Sequence, residues 1–255
     1  MLSRFKNKNV VITGAASGIG QAAAIRIAEE GGNLGLLDIN NNGLKDLAKE
    51  LAQFGQKVVY TVADVANFEQ TGNAIQELAE KLGGINALSH NAGILRCYHT
   101  HEMTLDQWNQ LININLTGTF NVNRHALPYL LKNSCSYLVN TSSISAEQPH
   151  PWMAAYSATK GAIKAFTRSL FLEYYCQGLH ANCVLPGSIE TAIGNNFNIP
   201  AGANPALLKT LCSLGKPKEV HPKHVASVIA LLASDDAWHI NGTEIAVDGG
   251  KIGME

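Results

Sequence analysis

A phenol and an ammonium stand four residues apart in Ala155-Tyr156-Ser157-Ala158-Thr159-Lys160-Gly161. At that spacing Tyr156 and Lys160 share one face of a helix. A free phenol gives up its proton only near pH ~10. Lowering that value by about 3 units takes roughly 4 kcal/mol of preference for the phenolate, and a neighbouring cation supplies part of it. Upstream, the apolar run Tyr137-Leu138-Val139 leads through Thr141 and Ser142 to Ser143, the pattern of a strand with a hydroxyl at its carboxyl end. Such a hydroxyl can donate to a carbonyl oxygen that gathers charge. The chemistry on offer is proton transfer beside a polarised oxygen.

The elements that must position these groups are legible along the chain. Asn9–Thr13 is a β-branched run of the kind buried on both faces of a sheet. Gly14-Ala15-Ala16-Ser17-Gly18-Ile19-Gly20 follows it, then a helix over about 21–30. A strand, a glycine turn and a helix start provide close backbone approach, free N–H groups and the positive end of a dipole, which together suit a pyrophosphate. A second strand over 34–38 ends at Asp38. A carboxylate there accepts hydrogen bonds from an adenosine ribose and repels a 2′-phosphate, and Ala15, Ala16, Ser17, Ile39 and Asn40 offer no cation to hold one. This favours NAD.

Further elements alternate in the same way: a helix over 44–54, strand 57–62, helix 68–82, strand 85–89, a long helix over 105–131, strand 180–185, helix 222–233 and a closing strand at 244–250. Asp64 is placed to cap the helix at 68. In the long helix, Asn113 and Asn115 are polar residues among apolar ones, and a kink would let one of them find a partner. Alternating strands and helices imply an α/β fold: a doubly wound parallel sheet of about seven strands with helices on both faces. The stretch 192–215 lacks periodicity and holds Gly194, Pro200, Gly202 and Pro205, the composition of a lid over a binding site.

Composition narrows the function classes. With 255 residues, 46% hydrophobic and 15% charged, the chain can bury a large core, and one domain over 1–255 is expected. A net charge of -1 gives no field to attract nucleic acid or an anionic membrane. No apolar run is long enough to span a bilayer, and Met1–Lys8 holds no apolar signal core. Five cysteines without paired spacing suit reduced thiols in a cytoplasm. His99 and His101, and His221 and His224, come without a third ligand at defensible spacing, so no metal is expected.

Together, Gly14-x-x-x-Gly18-x-Gly20, Asn91-Ala92-Gly93, Ser143 and Tyr156-x-x-x-Lys160 resemble the short-chain dehydrogenase/reductase family, whose sheet is of the Rossmann type. The resemblance implies Asn115, Ser143, Tyr156 and Lys160 as the catalytic set. Asn115, chosen over Asn113 for its following Leu-Thr-Gly, would hold through its backbone carbonyl a water that connects the lysine to solvent. For the cofactor it implies Gly14, Ser17, Gly18, Ile19, Gly20, Asp38, Asp64, Val65, Asn91, Ala92, Gly93, Tyr156, Lys160, Pro186, Gly187, Ile189 and Thr191, with Asp64 and Val65 flanking the adenine and Thr191 on the carboxamide. His90 stands where the family usually has Asn and is expected to replace one structural amide bond.

The expected reaction is hydride transfer between NAD and a secondary alcohol or ketone of small size, in a homo-oligomer, a dimer or tetramer, built on the Tyr156 helix and the one before it. Arg96 and His99 on one side, and Gln148, Trp152 and Met153 on the other, are positioned to touch substrate. An NADPH-dependent 3-ketoacyl reductase would share every catalytic motif, with Asp38 against it. A dinucleotide-sensing protein without turnover would have no need of Ser143, Tyr156 and Lys160.

Overall fold

The computed structural model describes residues 3–191, 198–207 and 220–254. In chain order it runs β1 (Asn9–Thr13), α1 (Gly18–Glu29), β2 (Asn33–Asp38), α2 (Asn41–Leu51), β3 (Val58–Val62), α3 (Phe68–Leu82), β4 (Ala87–His90), α4 (Leu105–Leu111), α5 (Gly118–Leu130), β5 (Ser136–Thr141), α6 (Ala154–Tyr174), β6 (Leu179–Pro186), α7 (Lys223–Leu232) and β7 (Glu244–Val247). All seven strands are parallel and lie in the order β3-β2-β1-β4-β5-β6-β7. The doubly wound sheet expected from the alternation of strands and helices is what forms.

Successive side chains of a strand point to opposite faces, and β1 shows the result. Val10 and Ile12 pack with Ala23, Ile27, Leu44, Leu47, Val225 and Ile229 from α1, α2 and α7. Val11, between them, packs with Ile75, Leu78, Val122 and Leu130 from α3 and α5. Two apolar layers therefore sandwich the sheet. Between β3 and β4 the chain crosses from one edge to the far side of β1, so Thr13 pairs in register with His90. A cleft opens at such a reversal, at the carboxyl ends of the two strands.

Some boundaries move for local reasons. α2 begins at Asn41 rather than near 44 because the Asn40 side chain accepts from the Gly43 N–H as an N-cap. α3 starts at Phe68 as expected, but its cap is Asn67, which accepts from the Gln70 N–H. Asp64 instead turns on itself and accepts from the Ala66 N–H at 2.9 Å. The long helix is broken at its centre: residues Ile112–Thr117 are a π-turn between α4 and α5, an insertion of the kind that concentrates at functional sites. Of the expected lid, 192–197 and 208–215 lie outside the described residues. Within the described part, the Ala201 carbonyl lies 3.0 Å from His99 Nε2.

The first turn of α1 is packed without slack. A Cβ on Gly20 would stand 2.1 Å from the Gly14 carbonyl oxygen, a backbone atom that cannot swing away. Gly20→Ala should therefore cost about 3 kcal/mol, the upper end for overpacking. Urea unfolding of the native chain and the variant measures it, and a loss below about 1 kcal/mol would mean the turn yields freely.

Candidate active site

A cavity of about 810 Å³ follows the carboxyl ends of the strands, within the range of small-molecule sites. One end is built by the glycine turn. α1 starts at Gly18 with Ser17 as its N-cap residue, and the serine side chain makes no capping bond. The first-turn amides are thus left without a side-chain partner at the positive end of the helix. Gly14 has φ +65° and Gly18 φ +56°, backbone that favours glycine. A Cβ on Gly14 would meet the Ala92 nitrogen at 2.8 Å, and one on Gly18 would meet Thr191 Cγ2 at 3.1 Å. The glycines therefore let three segments close around one space.

Asp38 stands at the end of β2 and lines the same cavity. Its carboxylate accepts from the Ala16 N–H at 3.0 Å and from the Asn40 N–H at 2.9 Å. These bonds brace the glycine turn and leave lone pairs on both oxygens for a further donor. Ile19, Asp64, Val65, Asn91, Ala92, Gly93, Pro186, Gly187, Ile189 and Thr191 line the cavity, as do Gly14, Ser17, Gly18 and Gly20. Among the described lining residues only Arg96 and Lys160 carry a fixed positive side chain, and neither neighbours Asp38 in sequence. Uncapped amides, glycine clearance and a carboxylate at the end of β2 fit a dinucleotide.

Ser143, Tyr156 and Lys160 meet at the other end of the cavity. The Ser142 hydroxyl donates to the Lys160 carbonyl at 2.7 Å, fixing α6 to the end of β5. Ser142 was not singled out from the sequence. The Lys160 ammonium is buried, donates to the Thr141 carbonyl at 2.8 Å, and lies 5.7 Å from the centre of the Tyr156 ring. Burial pushes the Tyr156 phenol up to about 12, while the Ser143 hydroxyl bonded to it pulls the other way. Burial also pushes Lys160 down to about 8. Lys160 is expected from the sequence to supply part of the shift that lowers the phenol; in the ligand-free cleft the burial of Tyr156 is the larger effect and the phenol stays raised.

Asn115 lies in the π-turn, fully buried, whereas Asn113 faces solvent. Its side chain accepts from the Ile94 N–H at 2.8 Å and donates to the Ile94 carbonyl at 2.9 Å, clamping the chain after Asn91-Ala92-Gly93. It also donates to the Thr159 hydroxyl, which in turn donates to the Tyr156 carbonyl. A Cβ on Gly93 would stand 3.2 Å from Asn115 Oδ1 and 3.6 Å from Lys160 Nζ. Turn, π-turn and α6 are therefore in contact at one point.

His90, expected to replace one amide bond, makes two contacts. Nδ1 is 2.7 Å from the Thr13 hydroxyl and Nε2 is 3.1 Å from the Thr119 hydroxyl. Burial, with the nearby Lys160 charge, pushes its pKa down to about 3.

Of the residues expected at the substrate, Arg96 and Met153 line the cavity. His99, Gln148 and Trp152 do not. The Gln148 amide donates to the Lys251 carbonyl, and the Trp152 carbonyl accepts from the Tyr98 N–H. Gln110, Ser145 and His150 line it instead. They come from α4 and from the irregular connection after Ser143, where no periodicity in the sequence reports direction. Among the described residues no group of three His, Cys, Asp or Glu is arranged to hold a metal; His101, His221 and His224 are exposed.

Comparison with known proteins agrees with this fold. The family model described as short chain dehydrogenase matches residues 8–201. Meso-2,3-butanediol dehydrogenase of Serratia marcescens is 36% identical over 252 residues, covering 99% of this chain and 97% of the relative. The 3-oxoacyl-(acyl-carrier-protein) reductase of Thermotoga maritima is 34% identical over 249 residues, covering 98% and 99%. A 3-oxoacyl-(acyl-carrier protein) reductase of Brucella melitensis, solved with bound NAD, superposes with a TM-score of 0.85 at 29% identity, covering 98% of this chain and 92% of that one.

The buried His90 ring gives folding a specific pH dependence. Its folded pKa lies below the ordinary value, so the unfolded chain takes up a proton that the folded chain refuses. Stability present above pH ~6.5 is lost as the pH falls toward the folded value. Between pH 7 and pH 5 the native chain should lose about 2 kcal/mol through this group, a loss absent from His90→Gln. Urea unfolding of both proteins at the two pH values checks it; parallel losses would show that His90 titrates normally.

Proposed function

The chain belongs to the short-chain dehydrogenase family and is an oxidoreductase acting on alcohol and ketone groups, and from that premise we propose that it is an NAD-dependent dehydrogenase of small secondary alcohols. The observation that carries the cofactor choice is Asp38. Its carboxylate is held at the end of β2 by two backbone amides, where it accepts from ribose hydroxyls and repels a 2′-phosphate. The first-turn amides of α1 with Gly14, Ser17, Gly18, Ile19 and Gly20 receive the pyrophosphate. Asp64 and Val65 border the adenine; Asn91, Ala92, Gly93, Pro186, Gly187, Ile189 and Thr191 enclose the remainder. Bound NAD supplies a hydride acceptor and a positive charge near Tyr156.

In this reading Tyr156 accepts the hydroxyl proton as the C–H hydride leaves the substrate carbon. Ser143 has a single hydroxyl proton: it donates to the phenol oxygen in the ligand-free cleft and turns to the substrate oxygen in the complex, favouring its charged form. Lys160, anchored on the Thr141 carbonyl, has two remaining N–H donors for the ribose and for a water. The Asn115 backbone carbonyl would hold that water as a hydrogen-bond acceptor, and the water would carry the proton outward. With the phenol at about 12 before ligands arrive, most of the work of deprotonation falls on charges gathered in the complex.

A 3-ketoacyl reductase is the second reading, favoured by the 34% identity to the Thermotoga maritima reductase. Activity with NADPH and acetoacetyl-CoA exceeding that with NAD and any simple alcohol would establish it instead. We read residues 1–255 as one domain, since the strands of its single sheet run from Asn9 to Val247. Free thiols at Cys97, Cys135, Cys176 and Cys183 support a reducing cytoplasm. Exposed apolar side chains at Phe120 on α5 and Leu172 on α6 support a homodimer or tetramer through these helices.

Three measurements test the reading. Tyr156→Phe should lower kcat by roughly 10³-fold while NAD affinity changes little, as for loss of a general base; retained turnover would remove Tyr156 from the chemistry. Asp38→Asn should reduce the preference for NAD over NADP by roughly 100-fold, about 2.7 kcal/mol of lost repulsion, read from kcat/KM with each cofactor. Light scattering should give a mass two or four times 27.3 kDa, and Phe120→Glu should lower it.

A further inference from the structure

The protons around His90 can be placed one by one. The Thr119 hydroxyl lies 2.6 Å from the Asn115 carbonyl oxygen, an acceptor only, so the single Thr119 proton is committed there. The Thr119 oxygen can then only accept from the ring, so His90 Nε2 carries the ring proton. Nδ1 is left as an acceptor, and the Thr13 hydroxyl donates to it. The Thr13 oxygen in turn accepts from the N–H groups of Asn91 and Ala92, at 3.2 and 3.4 Å. A directed chain therefore runs from the Asn91-Ala92 amides, through Thr13, the imidazole and Thr119, to the backbone carbonyl of Asn115.

We propose that His90 is a positioning residue with two separable duties: its Nδ1 side sets the turn Asn91–Gly93 that faces the cofactor, and its Nε2 side sets the Asn115 carbonyl beside Lys160. The second duty rests on the reading of Asn115 given above; the first does not. Thr119 occupies one lone pair of that carbonyl and leaves the other free to accept. The imidazole is suited to this place by its reach. An Asn amide extends about as far as Nδ1 and a Gln amide about as far as Nε2, so neither spans both hydroxyls. The ring also stays neutral beside Lys160, because it is buried and its pKa lies at about 3. A second cation there would compete with the ammonium for the same carbonyl-rich surroundings.

His90→Asn and His90→Gln divide the two duties. With Asn, the Thr13 side is kept: NAD affinity measured by fluorescence titration should stay near that of the native chain, while kcat at saturating NAD falls about fivefold, the scale of one neutral hydrogen bond. With Gln, the Thr119 side is kept: NAD affinity should weaken about fivefold while kcat at saturating NAD is largely retained. The alcohol for kcat is the fastest one in a panel of cyclic alcohols, diols and short hydroxy acids. Independently of any variant, ¹⁵N-edited spectra of the native chain should show the His90 ring with its proton on Nε2 and no titration from pH 5 to 8, the His90→Gln spectrum supplying the assignment. A ring protonated on Nδ1, a ring that titrates in that range, or two variants with the same pattern of losses would overturn the proposal. If no alcohol in the panel is oxidised, the dehydrogenase reading falls, whereas the ring proton and the NAD affinities of the two variants still decide the first duty.

Discussion

The structure depends on how closely β1 and β4 approach at their carboxyl ends. They are hydrogen-bonded neighbours although two strands, β2 and β3, lie between them along the chain. At the point where they part, there is no room for a Cβ on Gly14, which would press on the Ala92 nitrogen. This contact joins the glycine turn to the Asn91–Gly93 turn, and the cleft exists because both chains then diverge from it. Anything that widened the contact would separate the pyrophosphate end from the reacting end. Asp38 reinforces the same junction from outside by bonding the Ala16 amide, so one carboxylate both shapes the turn and lines the cleft.

Electrostatics at the reacting end follow from burial. Burial biases both Tyr156 and Lys160 against their charged forms, one with its pKa raised and the other with its pKa lowered, although Lys160 at about 8 keeps most of its charge at neutral pH. Neither group is ready alone, because each charge is costly on a buried side chain. Ser143 is the one neighbour that pulls the phenol toward ionisation. The pair is therefore biased so that charge separation becomes favourable when a ligand brings compensating charge and donors. The tyrosine thus stays protonated in the ligand-free cleft.

Strands, the parallel order and the glycine turn were legible because they rest on local rules: β-branched runs, glycine spacing and a strand-end acid. Asn115 was separable from Asn113 through its Leu-Thr-Gly successor, and burial distinguishes them in the structure. The bracing bonds were not legible. Ser142 to the Lys160 carbonyl, Thr159 to the Tyr156 carbonyl and His90 to Thr119 join residues 18, 3 and 29 positions apart, and nothing in residue type or period announces them. The substrate side failed for a related reason. Gln148, Trp152 and His150 occupy an irregular connection, and a loop carries no period from which to read which way a side chain turns.

Charge along the cleft gives the ligand a direction. Among the described lining residues, the carboxylates Asp38 and Asp64 lie at the β2 and β3 ends of the sheet, whereas Arg96 and Lys160 follow β4 and β5. A ligand with hydroxyl donors at one end and a group that becomes negative at the other is matched only one way round. The glycine turn sits between the two, where the first-turn amides of α1 offer the positive end of a helix to a negative group. Sheet order alone produces this sequence of sites, since β2 and β3 lie on one side of β1 and β4 and β5 on the other. The same reversal that opens the cleft therefore orders its charges and favours one orientation of a ligand whose ends differ in charge.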